Sequence, residues 1–199
     1  MRPTKWLETV GEDYIEQAYR IATEADGATE GNYNDYNIEQ PVKREKTLRL
    51  LRELKAAGVR VDAVGIRGHW EVDKIPFTQI EESIEAYAAA GYRVMITELE
   101  VDELPFSEPE KCLKLPEAEL AKAMERQAEQ YAELIRIFRK HRDKISRVTF
   151  WNLHDGRSWR NNWPAKGRMS HPLLFDRELK GKLALEAVVK VGEEKAGNV

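Results

Sequence analysis

Stretches with apolar residues at helical spacing alternate with short apolar runs along this chain, and that alternation predicts its architecture. Tyr14, Ala18, Ile21 and Ala25 share one face of a helix that starts at Asp13. Leu48, Leu51 and Leu54 form the inward line of a second helix over residues 44–57, with Gly58 as its C-terminal cap. A third is capped by Thr78, carries Glu81 and Glu82 in its first turn and ends at Gly91. A fourth runs from Pro116 to about His141 along Leu120, Met124, Tyr131, Leu134 and Phe138, and a fifth covers residues 179–191. Between the helices lie four predicted strands. They are a weak one at residues 31–37 with a polar exit, then 59–66, the run from Arg93, and 147–151.

The segments Ala56-Ala57-Gly58-Val59-Arg60-Val61 and Ala89-Ala90-Gly91-Tyr92-Arg93-Val94 repeat one helix–Gly–strand junction. Repeated units of this kind, with apolar rather than alternating strands, indicate an α/β fold with a parallel sheet and helices outside. A closed (β/α)8 barrel needs eight strands and about 250 residues. Four strands in 199 residues read as half of such a barrel, in one domain.

Composition narrows the function classes. Lys and Arg total 32 against 35 Asp and Glu, a net charge of −3 with no basic stripe, which argues against a nucleic-acid partner. The single cysteine, Cys112, has no Cys or His neighbour at ligand spacing, so neither an internal disulfide nor a metal site is expected, and nothing calls for a cofactor. No run is apolar enough to span a membrane, and Met1-Arg2-Pro3-Thr4-Lys5-Trp6 lacks the apolar run of a signal peptide.

Chemistry gathers at the strand ends. The run Arg93-Val94-Met95-Ile96-Thr97-Glu98 places a carboxylate where a buried strand should emerge, the position of reactive groups in parallel α/β folds. Read alone, Glu98 is either a solvated strand end or a nucleophile or general base. The other three strands end in Asn34, Asp35 and Asn37, in His69 and Trp70, and in Trp151-Asn152-Leu153-His154-Asp155-Gly156 followed by Trp159 and Trp163. Four polar and aromatic clusters on one rim make a cleft. Tryptophans beside carboxylates suit sugars, because indole packs on the apolar face of a pyranose while carboxylates bind hydroxyls. Core packing is the competing reading for Trp151, and less so for Trp159 and Trp163 in their polar loop.

Five segments resemble glycoside hydrolase family 10, the endo-β-1,4-xylanases, in the C-terminal half of the catalytic barrel. They are Gly11-Glu12-Asp13-Tyr14-Ile15, Asn34-Asp35-Tyr36-Asn37, Gly65-Ile66-Arg67-Gly68-His69, Ile96-Thr97-Glu98-Leu99-Glu100-Val101-Asp102, and the stretch from Thr149-Phe150-Trp151 through Trp163-Pro164 to Pro172-Leu173-Leu174-Phe175-Asp176. The resemblance implies strands five to eight with outer helices across the whole chain. It implies that Glu98 is the nucleophile, that His69 orients it, and that Trp151 and Trp159 wall the cleavage subsite. Asn34, Tyr36, Asn37 and Arg67 would contact substrate, xylan or a related β-1,4-glycan. Arg67 stands where glutamine is common, and Asn152 where glycine is usual. The family's acid/base segment has no counterpart here. Asp35, Glu39, Glu100 and Asp155 are the available substitutes, none on the matching strand.

Half a barrel would leave two unpaired strand edges and an uncovered apolar layer. The expected remedies are a missing N-terminal half-barrel or a second copy in a homodimer; otherwise the chain stays partly disordered. Two functional readings follow: the nucleophile half of a xylanase, inactive alone, or a binding or remnant fragment that grips β-1,4-linked sugars. A fragment made to study barrel assembly is a third. Localisation is left open.

Overall fold

Gly58 and Gly91 end two helices with the same backbone geometry. The helices are α3 (Pro41–Ala56) and α4 (Phe77–Ala89), in a computed structural model that describes residues 4–194. Both glycines adopt positive φ, 72° and 91°. The next residue donates its N–H five positions back, Val59 to the Leu54 carbonyl at 2.9 Å and Tyr92 to Tyr87 at 3.1 Å. This closes the helix with a left-handed residue that only glycine adopts without steric cost, and it turns the chain into a strand. The repeated motif is thus a repeated physical device.

The other elements are α1 (Lys5–Val10), α2 (Tyr14–Ala25), β1 (Asn32–Tyr36), β2 (Ala63–Arg67), β3 (His69–Glu71), β4 (Arg93–Asp102), α5 (Glu117–Lys140), β5 (Ile145–Phe150) and α6 (Leu183–Glu193). Strand β2 pairs with β1 and β4, β5 pairs with the other side of β4, and β3 continues beyond β2 against the end of β4. Every pairing is parallel, as the sequence pattern predicts. The core lies between sheet and helices, with Ile66, Ile96 and Leu99 meeting Ile80, Tyr87 and Leu134, all fully buried.

Several expectations need correction. Thr78 is not the cap of α4; the helix begins at Phe77 behind Pro76, two residues earlier than a Thr78 cap would place it, and Pro76 makes no side-chain capping hydrogen bond. The second strand starts at Ala63, not at residue 59, because the Gly58 turn leaves residues 59–62 irregular. The last helix starts at Leu183; Leu179 sits at φ 64° in a turn closed by the Phe175–Gly181 bridge. No residue of α2 is buried and Ile21 is 65% exposed, so among the described residues nothing covers its apolar face. A fifth strand, β3, appears where a loop was expected. The end of the segment read as leaderless, Met1-Arg2-Pro3, lies outside the described residues. Among the described residues, no helix is long and apolar enough to cross a membrane, and no cluster of His, Cys, Asp or Glu is arranged to hold a metal ion.

Candidate active site

Glu98 does not emerge at the end of its strand. Strand β4 continues to Asp102, and Glu98 is 4% exposed within it. Between the pairs Ile96–Val148 and Leu99–Phe150, β4 holds one residue more than β5. It also holds one more than its other neighbours between Ile66–Ile96 and His69–Glu100. Such a bulge re-aims side chains next to a site. Its effect is visible at Asn34, which two consecutive residues reach. The Thr97 hydroxyl donates to Asn34 Oδ1 at 2.6 Å. Asn34 Nδ2 then donates to Glu98 Oε1 at 3.1 Å. In a regular strand, neighbours point to opposite faces.

The second oxygen of Glu98 is held from the adjacent strands. Arg67 Nη2, at the end of β2, donates to Oε2 at 2.6 Å, and His69 Nε2, at the start of β3, lies 2.7 Å from the same atom. Burial alone would raise the Glu98 pKa, but the hydrogen bonds from Arg67, His69 and Asn34 outweigh it and hold the carboxyl below the usual range. The group is an oriented carboxylate.

Beyond Glu98 the bulge ends and alternation resumes, so Glu100 and Asp102 follow it on one face. Glu100 Oε1 lies 2.7 Å from His69 Nδ1 and accepts from Trp159 Nε1 at 2.8 Å and Arg160 Nε at 2.6 Å. Burial opposes its charge, while the His69 hydrogen bond and the Arg160 guanidinium favour it, and its pKa falls. Arg160, itself fully buried, reaches Asp102 at 3.3 Å, and Arg168 Nη2 adds a contact at 3.1 Å. Even so, burial and the neighbouring Glu103 charge push the Asp102 carboxyl up to about 7.

Aromatic rings line the cluster. His69 meets Trp151 edge-on at 6.1 Å and Trp159 at 5.3 Å, and Trp159 stacks on Trp163 at 5.0 Å. Trp151 and Trp163 are exposed, so their apolar faces are available to a ligand. Of the predicted residues, Asn34, Arg67, His69, Trp151 and Trp159 gather with Glu98. Tyr36 pairs in register with Arg67 and is exposed beneath the Lys43 ammonium, and Asn37 follows at φ 57°. Neither Tyr36 nor Asn37 is among the hydrogen-bond donors that hold Glu98. Asn152 is exposed and donates to the Arg157 carbonyl at 3.0 Å.

Trp70 and the four acids considered as substitutes, Asp35, Glu39, Glu100 and Asp155, are engaged elsewhere. Trp70 is a core residue, 5% exposed, because β3 turns it inward toward Glu39. Glu39 and Glu100 are buried, and burial raises the Glu39 pKa. Asp155 is buried against Lys182 at 3.0 Å, and Asp35 is paired with Lys43 at 2.9 Å. The roles of Thr97, Arg160 and Asp102 were missed. The alternating acids Glu98, Glu100 and Asp102 in an otherwise apolar strand were the signal for a shared face.

The sequence pattern of glycosyl hydrolase family 10 matches residues 1–191. The chain belongs to that family. It is 38% identical over 191 residues to endo-1,4-beta-xylanase A of Caldicellulosiruptor saccharolyticus, covering 96% of this chain and 55% of the relative. It is 40% identical over 182 residues to endo-1,4-beta-xylanase B of Paenibacillus barcinonensis, covering 92% and 54%. The crystal structure of xylanase XynB from Paenibacillus barcinonensis, complexed with a conduramine derivative, superposes with a TM-score of 0.88. That alignment is 38% identical and covers 95% of this chain and 56% of the other. This family 10 chain therefore shares the parallel α/β fold of its relatives and spans about half the length of the curated ones it matches.

Proposed function

We propose that residues 1–199 are the C-terminal half of a family 10 catalytic barrel, strands five to eight, and supply the nucleophile of an endo-β-1,4-xylanase-type retaining hydrolase. The observation that carries this is the Glu98 carboxylate. It is ionised and fixed at both oxygens by Asn34, Arg67 and His69, and its partner His69 meets two tryptophans. A retaining glycosidase attacks the anomeric carbon with such a group, forms a glycosyl-enzyme ester, and hydrolyses it with water. Asn34 and Arg67, with Tyr36 and Asn37 along the same strand ends, contact the sugar, and Trp151 and Trp159 pack on its apolar face.

The mechanism needs a second carboxyl about 5–5.5 Å from the first to protonate the leaving sugar. Glu100, two residues beyond on the same face, is held by three nitrogens on one oxygen and serves orientation instead. The acid/base then comes from a complementary half-barrel, with a second copy of this chain as the other candidate partner. A non-catalytic grip on β-1,4-glycans is the alternative, favoured by the 2.6 Å Arg67 contact, which weakens Glu98 as a nucleophile.

The test assays xylan hydrolysis by the chain alone and mixed with a separately made N-terminal half of a related xylanase. Activity is expected only in the mixture, and Glu98→Ala should abolish it. Hydrolysis by the chain alone, lost in Glu98→Ala, would refute the need for an outside acid. Xylan binding with no activity in either sample would favour the alternative.

A further inference from the structure

One oxygen of Glu100 joins three parts of the site. His69, the partner of Glu98, contacts it from β3; Trp159 and Arg160, adjacent in one 3-10 turn (Trp159–Asn161), donate to it from the loop after β5. The other oxygen, Oε2, is buried without a partner, so the whole hydrogen-bonding load falls on Oε1. Three nitrogens at 2.6–2.8 Å around one oxygen hold each other in place, and a shift of any one redistributes charge on the carboxylate.

We propose that the Trp159 indole N–H is a positioning group that couples sugar contact on its ring to the Glu98 carboxylate, through Glu100 and His69. This rests on the reading of Trp159 as a sugar-contacting side chain. Trp159 therefore has two separable parts: a ring face for the ligand and an N–H for the cluster. The ring alone would serve a simple platform, and phenylalanine keeps much of it while losing the donor. Trp151 is the internal contrast, because its ring also meets His69 but makes no hydrogen bond to the cluster among those described.

Coupling of this kind is reciprocal: if sugar alters proton affinity in the cluster, protons alter sugar affinity equally. The charged and titratable groups facing Glu98 and Glu100 are Arg67 from β2, His69 from β3, Asp102 from β4, Tyr131 from α5, and Arg160 from the loop.

The experiment follows the carboxyl carbons of Glu98 and Glu100 by NMR in glutamate-labelled protein through a pH titration, with and without saturating xylotriose. In the free protein, Trp159→Phe should raise the Glu100 midpoint by about one pH unit, a tenfold change in proton affinity, and Trp151→Phe should leave it in place. Saturating xylotriose should move the Glu98 midpoint by threefold or more in the unaltered chain and not in Trp159→Phe. An unchanged Glu100 midpoint in Trp159→Phe, or an equal sugar-induced shift in both proteins, would overturn the proposal. If xylotriose does not bind the unaltered chain, the functional reading falls and the coupling with it, whereas the free-protein midpoint separately decides whether the N–H sets Glu100. Glu100→Gln, which keeps the side-chain shape, should remove the sugar-induced shift of Glu98 without unfolding the chain.

Discussion

Asn34 occupies the space that a side chain at position 65 would need. A Cβ on Gly65 would lie 2.8 Å from Asn34 Oδ1 and 2.8 Å from Thr97 Cγ2. The two residues pair in register across β1 and β2. The missing side chain of one lets the other reach Glu98.

Gly65→Ala should therefore displace Asn34 before it breaks the sheet. The expected outcome is a loss of about 1–3 kcal/mol in urea unfolding from overpacking. A larger effect is expected on xylan turnover in the complemented sample, because Glu98 Oε1 loses its donor. Unchanged turnover with normal folding would show that the Asn34 contact is dispensable.

Arg67→Gln removes a guanidinium that helps hold the Glu98 carboxyl below its usual range. Glu98 must be ionised to attack, so the acidic limb of the pH–rate profile should move to higher pH. A more basic carboxylate is also the stronger nucleophile, so the plateau rate should not fall. An acidic limb that stays in place would exclude Arg67 as the controlling charge.

Glu98→Gln keeps the shape of the side chain but removes the proposed nucleophile. Turnover in the complemented sample should fall by more than about a thousandfold. Xylan binding, measured by affinity electrophoresis, should survive. Residual turnover near that of the parent would reassign the nucleophile.

Asp102 links pH to stability with a definite sign. Its folded pKa, about 7, lies above the ordinary 3.8, so the folded chain holds the extra proton between those values. The associated stability is present below 3.8 and is lost as pH rises through about 7. Asp102→Asn should remove this loss, and the difference from the parent in urea midpoints should change across that window. A constant difference would mean that Arg160 and Arg168 keep Asp102 ionised throughout.

How much was legible depended on whether the cause was local. The Gly58 and Gly91 turns were readable because a left-handed helix end calls for glycine and both follow an apolar helical line. The parallel sheet followed from strands without alternation. That Glu98, His69, Trp151 and Trp159 lie together was readable through the resemblance, since they stand in long matched segments. Trp70 was misplaced because its burial depends on β3, a three-residue strand that exists only by pairing with β4. The outward-facing Ile21 could not be foreseen from helix α2, whose pattern is amphipathic; what covers the apolar face is a property of its surroundings. The bulge left no mark in composition, because a single extra residue is defined only against neighbouring strands.

That extra residue sets which changes in chain length β4 can accept. Removing one residue elsewhere in the strand would turn every side chain beyond it to the opposite face and send Glu98, Glu100 and Asp102, or part of that series, into the apolar layer. Removing Thr97 would instead bring β4 to the same count as its neighbours between the flanking pairs. Glu100 and Asp102 would keep their sides, and only the junction at Asn34 would be lost. A scan of single-residue deletions should thus leave a folded protein at one point in β4, beside Glu98.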